Sequence, residues 1–209
     1  MSHFVTFEGI EGSGKSTHLR ALAAHLRAAG HAVVETREPG GTAAGLAMRG
    51  LLLGPEALPL TPLAELFLYL ADRAQHVDEV IRPALAAGRI VLCDRFSDST
   101  LAYQGYARGL DLEVLRALDA RARGGIAPDS TVLLDCPVED GLARARGRAG
   151  TGDRFERETV AFHERVRAGF HALAANDPDR FVVVDASAPI ADVQARIVTA
   201  VVRRLGAAA

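Results

Sequence analysis

Short apolar runs alternate along the chain with longer stretches in which apolar residues recur every three or four positions, and the two periods predict different elements. Near-continuous apolar runs at residues 4–8, 32–36, 90–94, 131–135 and 181–185 predict strands covered on both faces. Helical spacing predicts helices over residues 15–29, 63–70 running on towards 87, 112–123, 155–175 and 190–205. In the first of these, Leu19, Leu22, Ala23 and Leu26 share a face and Gly30 supplies the stop. Asp185, Ser187 and Pro189 form the entry to the last. Strands that alternate with helices predict an α/β fold with a parallel five-stranded sheet flanked by helices. Residues 1–209 read as a single domain, a size at which one core buries most of the apolar surface.

Composition narrows the function classes. Apolar residues make up 49%, charged residues 24%, and the formal net charge is −2, so there is no cationic excess for a nucleic acid or an anionic membrane. No apolar run approaches the ~18 residues of a membrane span, and the start MSHFVTFEG lacks a charged region leading into a long apolar one, which predicts a cytoplasmic protein. Cys93 and Cys136 stand apart and read as buried structural thiols. The seven histidines show no ligand spacing, so no permanent protein-held metal is expected. Lys15 is the only lysine among 24 basic residues. A chain that uses arginine everywhere else keeps lysine where a compact ammonium is wanted.

That lysine lies in Gly9-Ile10-Glu11-Gly12-Ser13-Gly14-Lys15-Ser16, followed by Thr17, a G-x-x-x-x-G-K-S string between a predicted strand and a predicted helix. The glycines let successive backbone N–H groups turn inward onto phosphate oxygens, and the helix N-terminus adds its positive dipole end. In this reading Lys15 reaches the β- and γ-phosphates of ATP and Ser16 ligates the Mg²⁺ that accompanies it. A guanine-reading N-K-x-D element is impossible without a second lysine, which leaves a small-molecule kinase.

Four further strings lie in register with this loop: Arg37-Glu38-Pro39-Gly40-Gly41-Thr42; Asp94-Arg95-Phe96; Ser99-Thr100-Leu101-Ala102-Tyr103-Gln104-Gly105; and Asp153-Arg154-Phe155-Glu156. In order and spacing the chain resembles the bacterial thymidylate kinase family, a branch of the P-loop NTPase fold, over nearly its whole length. The resemblance implies transfer of the γ-phosphoryl group of ATP to dTMP, with dTDP and ADP as products on the route to dTTP, and a homodimer. A kinase for dUMP or another small phosphorylated metabolite, and a non-catalytic ATP-binding scaffold, are the competing readings.

Asp94 and Arg95 close a buried apolar run, and in a parallel sheet the strand carboxyl ends line the ligand crevice. Arg95 offers a planar fork to the acceptor phosphate, and Asp94 either holds a water on Mg²⁺ or orients Arg95. By resemblance, Arg49 and Arg95 clamp the dTMP phosphate, and Glu38 lies near the acceptor and the metal. Tyr69 and Arg73 are four residues apart and share a helical face. The resemblance gives the Tyr69 ring to the thymine face, although the family usually has Phe there, and Arg73 to the O4 carbonyl. Gln104 can pair with the imide edge of thymine, Ser99 and Thr100 are small polar neighbours, and Tyr103 resembles the ring that crowds a ribose 2′ position. Glu11 matches a carboxylate aimed at the acceptor's sugar or a magnesium-bound water.

Arg144, Arg146, Arg148, Arg154 and Arg157 are interspersed with Gly147, Gly150 and Gly152. Glycines this dense would break a helix, so residues of about 143–153 read as a small mobile cationic lid inserted in the domain. The loop at 9–17 carries no arginine, so the lid must bring one to the transition state. Arg146 and Arg148 are favoured for that role, with Arg144 and Arg154 as alternatives.

Overall fold

The structure is a computed structural model that describes residues 2–54, 59–147, 155 and 158–207. Five parallel strands, β1 (His3–Glu8), β2 (Val33–Arg37), β3 (Ile90–Asp94), β4 (Ser130–Asp135) and β5 (Phe181–Asp185), form one sheet in the order β2-β3-β1-β4-β5. β1, β3 and most of β4 are buried, which explains their unbroken apolar content; β2, at an edge, is half-exposed. From β1 the chain passes to β2, and from β3 it crosses to β4 on the other side of β1. Parallel sheets bind ligands where the connection order reverses in this way. Phe7 pairs with Asp94, and Asp94 with Arg37, so the carboxyl ends of β1, β2 and β3 lie side by side.

The helices are α1 (Lys15–Ala28), α2 (Ala43–Leu53), α3 (Pro62–His76), α4 (Arg82–Ala86), α5 (Ser97–Thr100), α6 (Leu112–Arg123), α7 (Val138–Arg146), α8 (Val160–Asn176) and α9 (Ile190–Ala207). The expected run from 63 towards 87 is one continuous path, with a π-helical stretch at Val77–Ile81 between α3 and α4. Pro83, at the head of α4, has no N–H for the carbonyl four residues back, and the wider turn accommodates that gap. α8 begins five residues later than the spacing predicts because Thr159 caps it, its side chain accepting from Phe162 N at 3.2 Å. A second π-helical stretch, Leu101–Ala107, continues α5 and packs along α8.

α2, α5 and α7 are absent from the sequence reading. α7 corrects it: Arg144 and Arg146 belong to a regular helix that buries Val138, Leu142 and Ala145, not to a glycine-broken loop. The rest of the expected lid, residues 148–153, lies outside the described residues.

Candidate active site

The loop from Gly9 to Thr17 joins β1 to α1. Gly14, at φ 93°, caps α1, whose first turn carries no acidic residue, so the positive end of the helix is left to an anion. Gly12 sits at φ 71° against α7, where a Cβ would meet the Gly141 carbonyl oxygen at 1.9 Å. The loop therefore needs glycine here for both conformation and space. Lys15 Nζ donates to the carbonyls of Gly9 (3.0 Å) and Ile10 (2.8 Å) and to Ser13 Oγ (3.3 Å). Burial, then the neighbouring Arg95, lowers its pKa to about 8. Ser16 Oγ donates to Asp94 Oδ2 at 2.5 Å, which ties the start of α1 to the end of β3.

A cavity of about 310 Å³ opens over these strand ends, lined by Lys15, Ser16 and Thr17 together with Tyr69, Arg73 and Gln104. That is room for a small organic ligand. Arg95 lines it as well, its backbone at φ 71°, where a non-glycine residue is strained. The fork expected to face the cavity is turned into the protein. Nη1 donates to Gly9 O and Ser99 Oγ, both at 3.0 Å, and Nη2 donates to Glu11 Oε1 at 2.9 Å and Tyr103 Oη at 3.1 Å. The guanidinium also lies over the Tyr103 ring, 5.0 Å from its centroid. What the cavity receives from Arg95 is a fixed positive charge, with both Nη nitrogens held by the protein.

Burial alone would raise the Glu11 pKa, but Arg95, His163, Lys15 and Tyr103 together hold it well below the usual carboxylate range. Tyr103 Oη donates to Glu11 Oε1 at 2.6 Å. His163 has its Nε2 2.9 Å from the Phe155 carbonyl, which can only accept, so Nε2 carries hydrogen. Its Nδ1 lies 3.2 Å from Glu11 Oε2, within ion-pair distance though off the direction of a good hydrogen bond. Burial opposes the charge on His163, but Glu11 raises its pKa above the ordinary value. Glu8, beneath Arg95, is fully buried and accepts from Phe96 N (2.8 Å) and Ser99 Oγ (2.5 Å). Burial and Asp98 push its pKa up to about 7.

Arg73 is 1% exposed, which is tolerable only because carboxylates surround it. Its Nε donates to Glu38 Oε2 at 2.9 Å, and its Nη1 to Asp119 Oδ1 at 2.6 Å and Thr100 Oγ1 at 3.0 Å. Burial works against the charge, yet Glu38 and Asp119 raise the Arg73 pKa above its ordinary value. Glu38 also meets His76 Nδ1 at 2.9 Å, and His76 Nε2 lies 2.6 Å from Thr36 Oγ1. Asp72 accepts from Gly40 N at 2.9 Å, and burial together with Glu38 raises its pKa to about 6. Arg49 donates to the Pro39 carbonyl at 2.9 Å and lines the cavity with Glu38.

The structure thus brings together Gly12, Gly14, Lys15, Ser16, Thr17, Glu11, Glu38, Arg49, Tyr69, Arg73, Asp94, Arg95, Ser99, Thr100, Tyr103 and Gln104 around one cavity. Gly9, Ile10 and Ser13 stand just behind it as acceptors for Lys15. Arg144 is turned elsewhere and donates to the Ala186 carbonyl at 2.9 Å. Arg146 is exposed on α7, and Arg148, Arg154 and Arg157 lie outside the described residues. Sequence reasoning missed the supporting residues Glu65, His76, Asp119 and His163 and the cavity-lining Phe155. The face of α3 held a signal: Glu65, Tyr69, Arg73 and His76 recur at intervals of three and four. Among the described residues no group of three or more His, Cys, Asp or Glu side chains could hold a metal ion.

Comparison with known proteins gives a consistent result. The family model described as thymidylate kinase matches residues 7–197. The thymidylate kinase of Desulfovibrio desulfuricans is 59% identical over 196 residues, covering 91% of this chain and 90% of that protein. That of Solidesulfovibrio magneticus is 57% identical over 208 residues, covering 97% and 99%. Among solved structures, the thymidylate kinase from Ehrlichia chaffeensis superposes with a TM-score of 0.77 at 35% identity, covering 96% of this chain and 98% of that one.

Proposed function

Because the chain belongs to the thymidylate kinase family, we propose that the cavity takes dTMP, with the phosphates of ATP on the loop of Lys15 that lines it, and that the γ-phosphoryl group of ATP passes to the 5′-phosphate of dTMP. The enzyme is an ATP-dependent nucleotide kinase of the P-loop NTPase fold. The observation that carries the assignment is that one cavity is lined both by the glycine loop with Lys15 and by a ring, a guanidinium and an amide, those of Tyr69, Arg73 and Gln104.

ATP lies with its phosphates on the backbone of Gly9, Ile10, Glu11, Gly12, Ser13 and Gly14 and on the N-terminus of α1, with Lys15, Ser16 and Thr17 at the phosphate oxygens. Ser16 and Asp94 offer hard oxygens 2.5 Å apart at the cradle's edge, a fit for Mg²⁺, which takes one or two protein oxygens and completes its shell with phosphate and water. Held there with ATP, Mg²⁺ would supply positive charge to neutralise the transferring group.

Thymine stacks on Tyr69 and is read by Arg73, Thr100 and Gln104. The 5′-phosphate sits in the field of Arg95 and Arg49, with Ser99 beside Arg95 and Tyr103 against the sugar. Glu38 acts through Arg73, which it holds in place. No general base is required, because a phosphate monoester with a second pKa of about 6 is largely deprotonated at neutral pH. The depressed pKa of Glu11 suits it to anchor Arg95 and Tyr103 rather than to take a proton. Catalysis then rests on alignment and charge stabilisation. Arg146, exposed on α7, is the cation offered to the transferring phosphoryl group, with Arg148 as the second candidate from the sequence, and replacing both lowers turnover with little change in nucleotide affinity.

The chain works as one domain, as a cytoplasmic homodimer. Exposed Leu46 and Leu51 on α2, with Leu63 and Phe67 on the adjoining α3, offer an apolar face for a second copy. Free, buried Cys93 and Cys136 suit a reducing compartment, and no helix of the described residues is long and apolar enough to cross a membrane. The deciding experiment is coupled ADP release across dTMP, dUMP, dCMP, AMP and GMP, with magnesium present and then chelated. Magnesium-dependent turnover greatest with dTMP is expected; no ADP with dTMP would defeat the assignment.

A further inference from the structure

We infer that Glu65 is a specificity-determining positioning residue, which fixes the side-chain amide of Gln104 so that its carbonyl, not its amino group, is offered to the base. This rests on the dTMP assignment above and adds the residue that sets the donor–acceptor pattern of the base pocket.

Glu65 lies in the first turn of α3 and is wholly buried, and Gln104 is 1% exposed at the cavity wall. Gln104 Nε2 donates to Glu65 Oε1 at 2.7 Å. A carboxylate has lone pairs and no hydrogen to give, so only the amino half of the amide can face it. Because the two halves of an amide point apart, the half left for the cavity is Oε1, an acceptor. The carboxylate is itself kept in place by Arg108, whose Nε is 3.6 Å from Glu65 Oε1. Arg108 in turn donates to Glu158 at 2.6 Å and lies over the Phe162 ring, 4.7 Å from its centroid. The orientation of Gln104 is therefore set by a supported buried charge.

The chemical consequence depends on the base. Thymine and uracil carry a hydrogen on N3 and a carbonyl at C4, whereas cytosine has a lone pair at N3 and an amino group at C4. An acceptor at Gln104 beside a donor at Arg73 matches the first pattern and opposes the second at both atoms. A pocket built around such hydrogen bonds discriminates strongly, because the wrong base leaves buried polar groups unpaired or facing their like. Glu65, Tyr69 and Arg73 follow at four-residue intervals, so one face of α3 orients the reader of N3, supplies the ring and reads position 4.

The test is steady-state kinetics of the full chain with dTMP and dCMP, for wild type, Glu65→Gln, Gln104→Ala and the double variant. A glutamine at 65 can either accept or donate, so the Gln104 amide is free to turn. The dTMP/dCMP ratio of kcat/KM is expected to fall at least tenfold in Glu65→Gln, mainly through a higher KM for dTMP and with KM for ATP kept. In the Gln104→Ala background the same change should leave the ratio where Gln104→Ala alone puts it. An unchanged ratio in Glu65→Gln overturns the inference, as does an equal loss for both acceptors or a full additional loss in the double variant. Should Glu65→Gln fail to fold, Glu65→Asp, which keeps the charge but withdraws it from Gln104, is read by the same ratio. A wild-type enzyme idle with dTMP would instead strike the functional assignment, and would show it before any variant was made.

Discussion

Arg95 leaves the end of β3 with a left-handed backbone, φ 71°, and places its Nη2 2.9 Å from Glu11 Oε1 in the phosphate-binding loop. The strained turn brings the guanidinium back under the loop, and the same group takes the Gly9 carbonyl. One side chain thus joins the cradle for ATP to the wall of the acceptor site. A conformation that costs roughly 1–2 kcal/mol in a residue with a Cβ persists because four side-chain hydrogen bonds over-determine it.

Two substitutions separate strain from charge. Arg95→Ala removes the guanidinium and keeps the Cβ; Arg95→Gly removes both. Each is expected to lower kcat/KM for dTMP by about 100-fold or more, with a smaller loss of ATP binding, on the order of what a buried charge contact contributes. Arg95→Gly should be the more stable of the two by about 1 kcal/mol in denaturant melts. Equal weakening of ATP and dTMP binding would remove Arg95 from the acceptor site, and equal stabilities would argue that the turn carries no strain.

Lys15 gives a pH signature. Its pKa is lowered to about 8, first by burial and then by Arg95, so in the free enzyme the ammonium is lost as pH rises through that value. The pH profile of kcat/KM for ATP reports the free enzyme and is expected to fall on the alkaline side near 8. In Arg95→Ala the fall should move to higher pH, because the nearest like charge is gone. Lys15→Ala should remove most activity at every pH. A wild-type profile flat well past that value would contradict the buried position of the ammonium.

The sheet was legible from sequence because buried parallel strands leave nearly unbroken apolar runs, and every predicted strand falls within one residue of an observed one. α2 was hidden because Gly45 and Gly50 interrupt it and only Gly45 and Leu52 are buried. α7 was masked by its arginines, although Val138, Leu142 and Ala145 carry a helical repeat. The residues facing the cavity were legible because their types announce their chemistry: a lysine in a glycine loop, Asp94-Arg95 after an apolar run, a ring and a guanidinium one turn apart. Their supports were not. Glu65 meets Gln104 across 39 residues and Asp119 meets Arg73 across 46, and no local pattern encodes those meetings.

Glu8 makes stability depend on pH with a sign opposite to that of a salt-bridged carboxylate. Its folded pKa of about 7 lies above the ordinary value of 4.5, so its contribution is fully present below about 4.5 and is lost as pH rises through about 7. Replacing it by glutamine removes the buried charge and keeps a side chain of the same shape. Relative to wild type, Glu8→Gln is expected to gain roughly 1–3 kcal/mol in unfolding free energy between pH 5 and pH 8. Urea titrations at the two pH values check this, and a difference that does not change with pH would mean that Glu8 is ionised throughout.

Asp119 stands behind the base-reading end as Glu65 does, but holds a cation. It takes Arg73 Nη1 at 2.6 Å, Ser97 Oγ at 3.0 Å and Arg123 Nε at 2.7 Å. Removing one partner of a buried ion pair leaves the other charge uncompensated, at a cost of about 3–5 kcal/mol. Glu38 still faces Arg73 in Asp119→Ala, so a loss nearer the lower figure is expected, with Asp119→Asn milder because it keeps one acceptor oxygen. Arg73 would then be held by Glu38 and Thr100 alone, and the KM for dTMP should rise several-fold while the KM for ATP stays put. Stability lost with both KM values unchanged would leave Asp119 to the core and show that Arg73 does not need it to face the base.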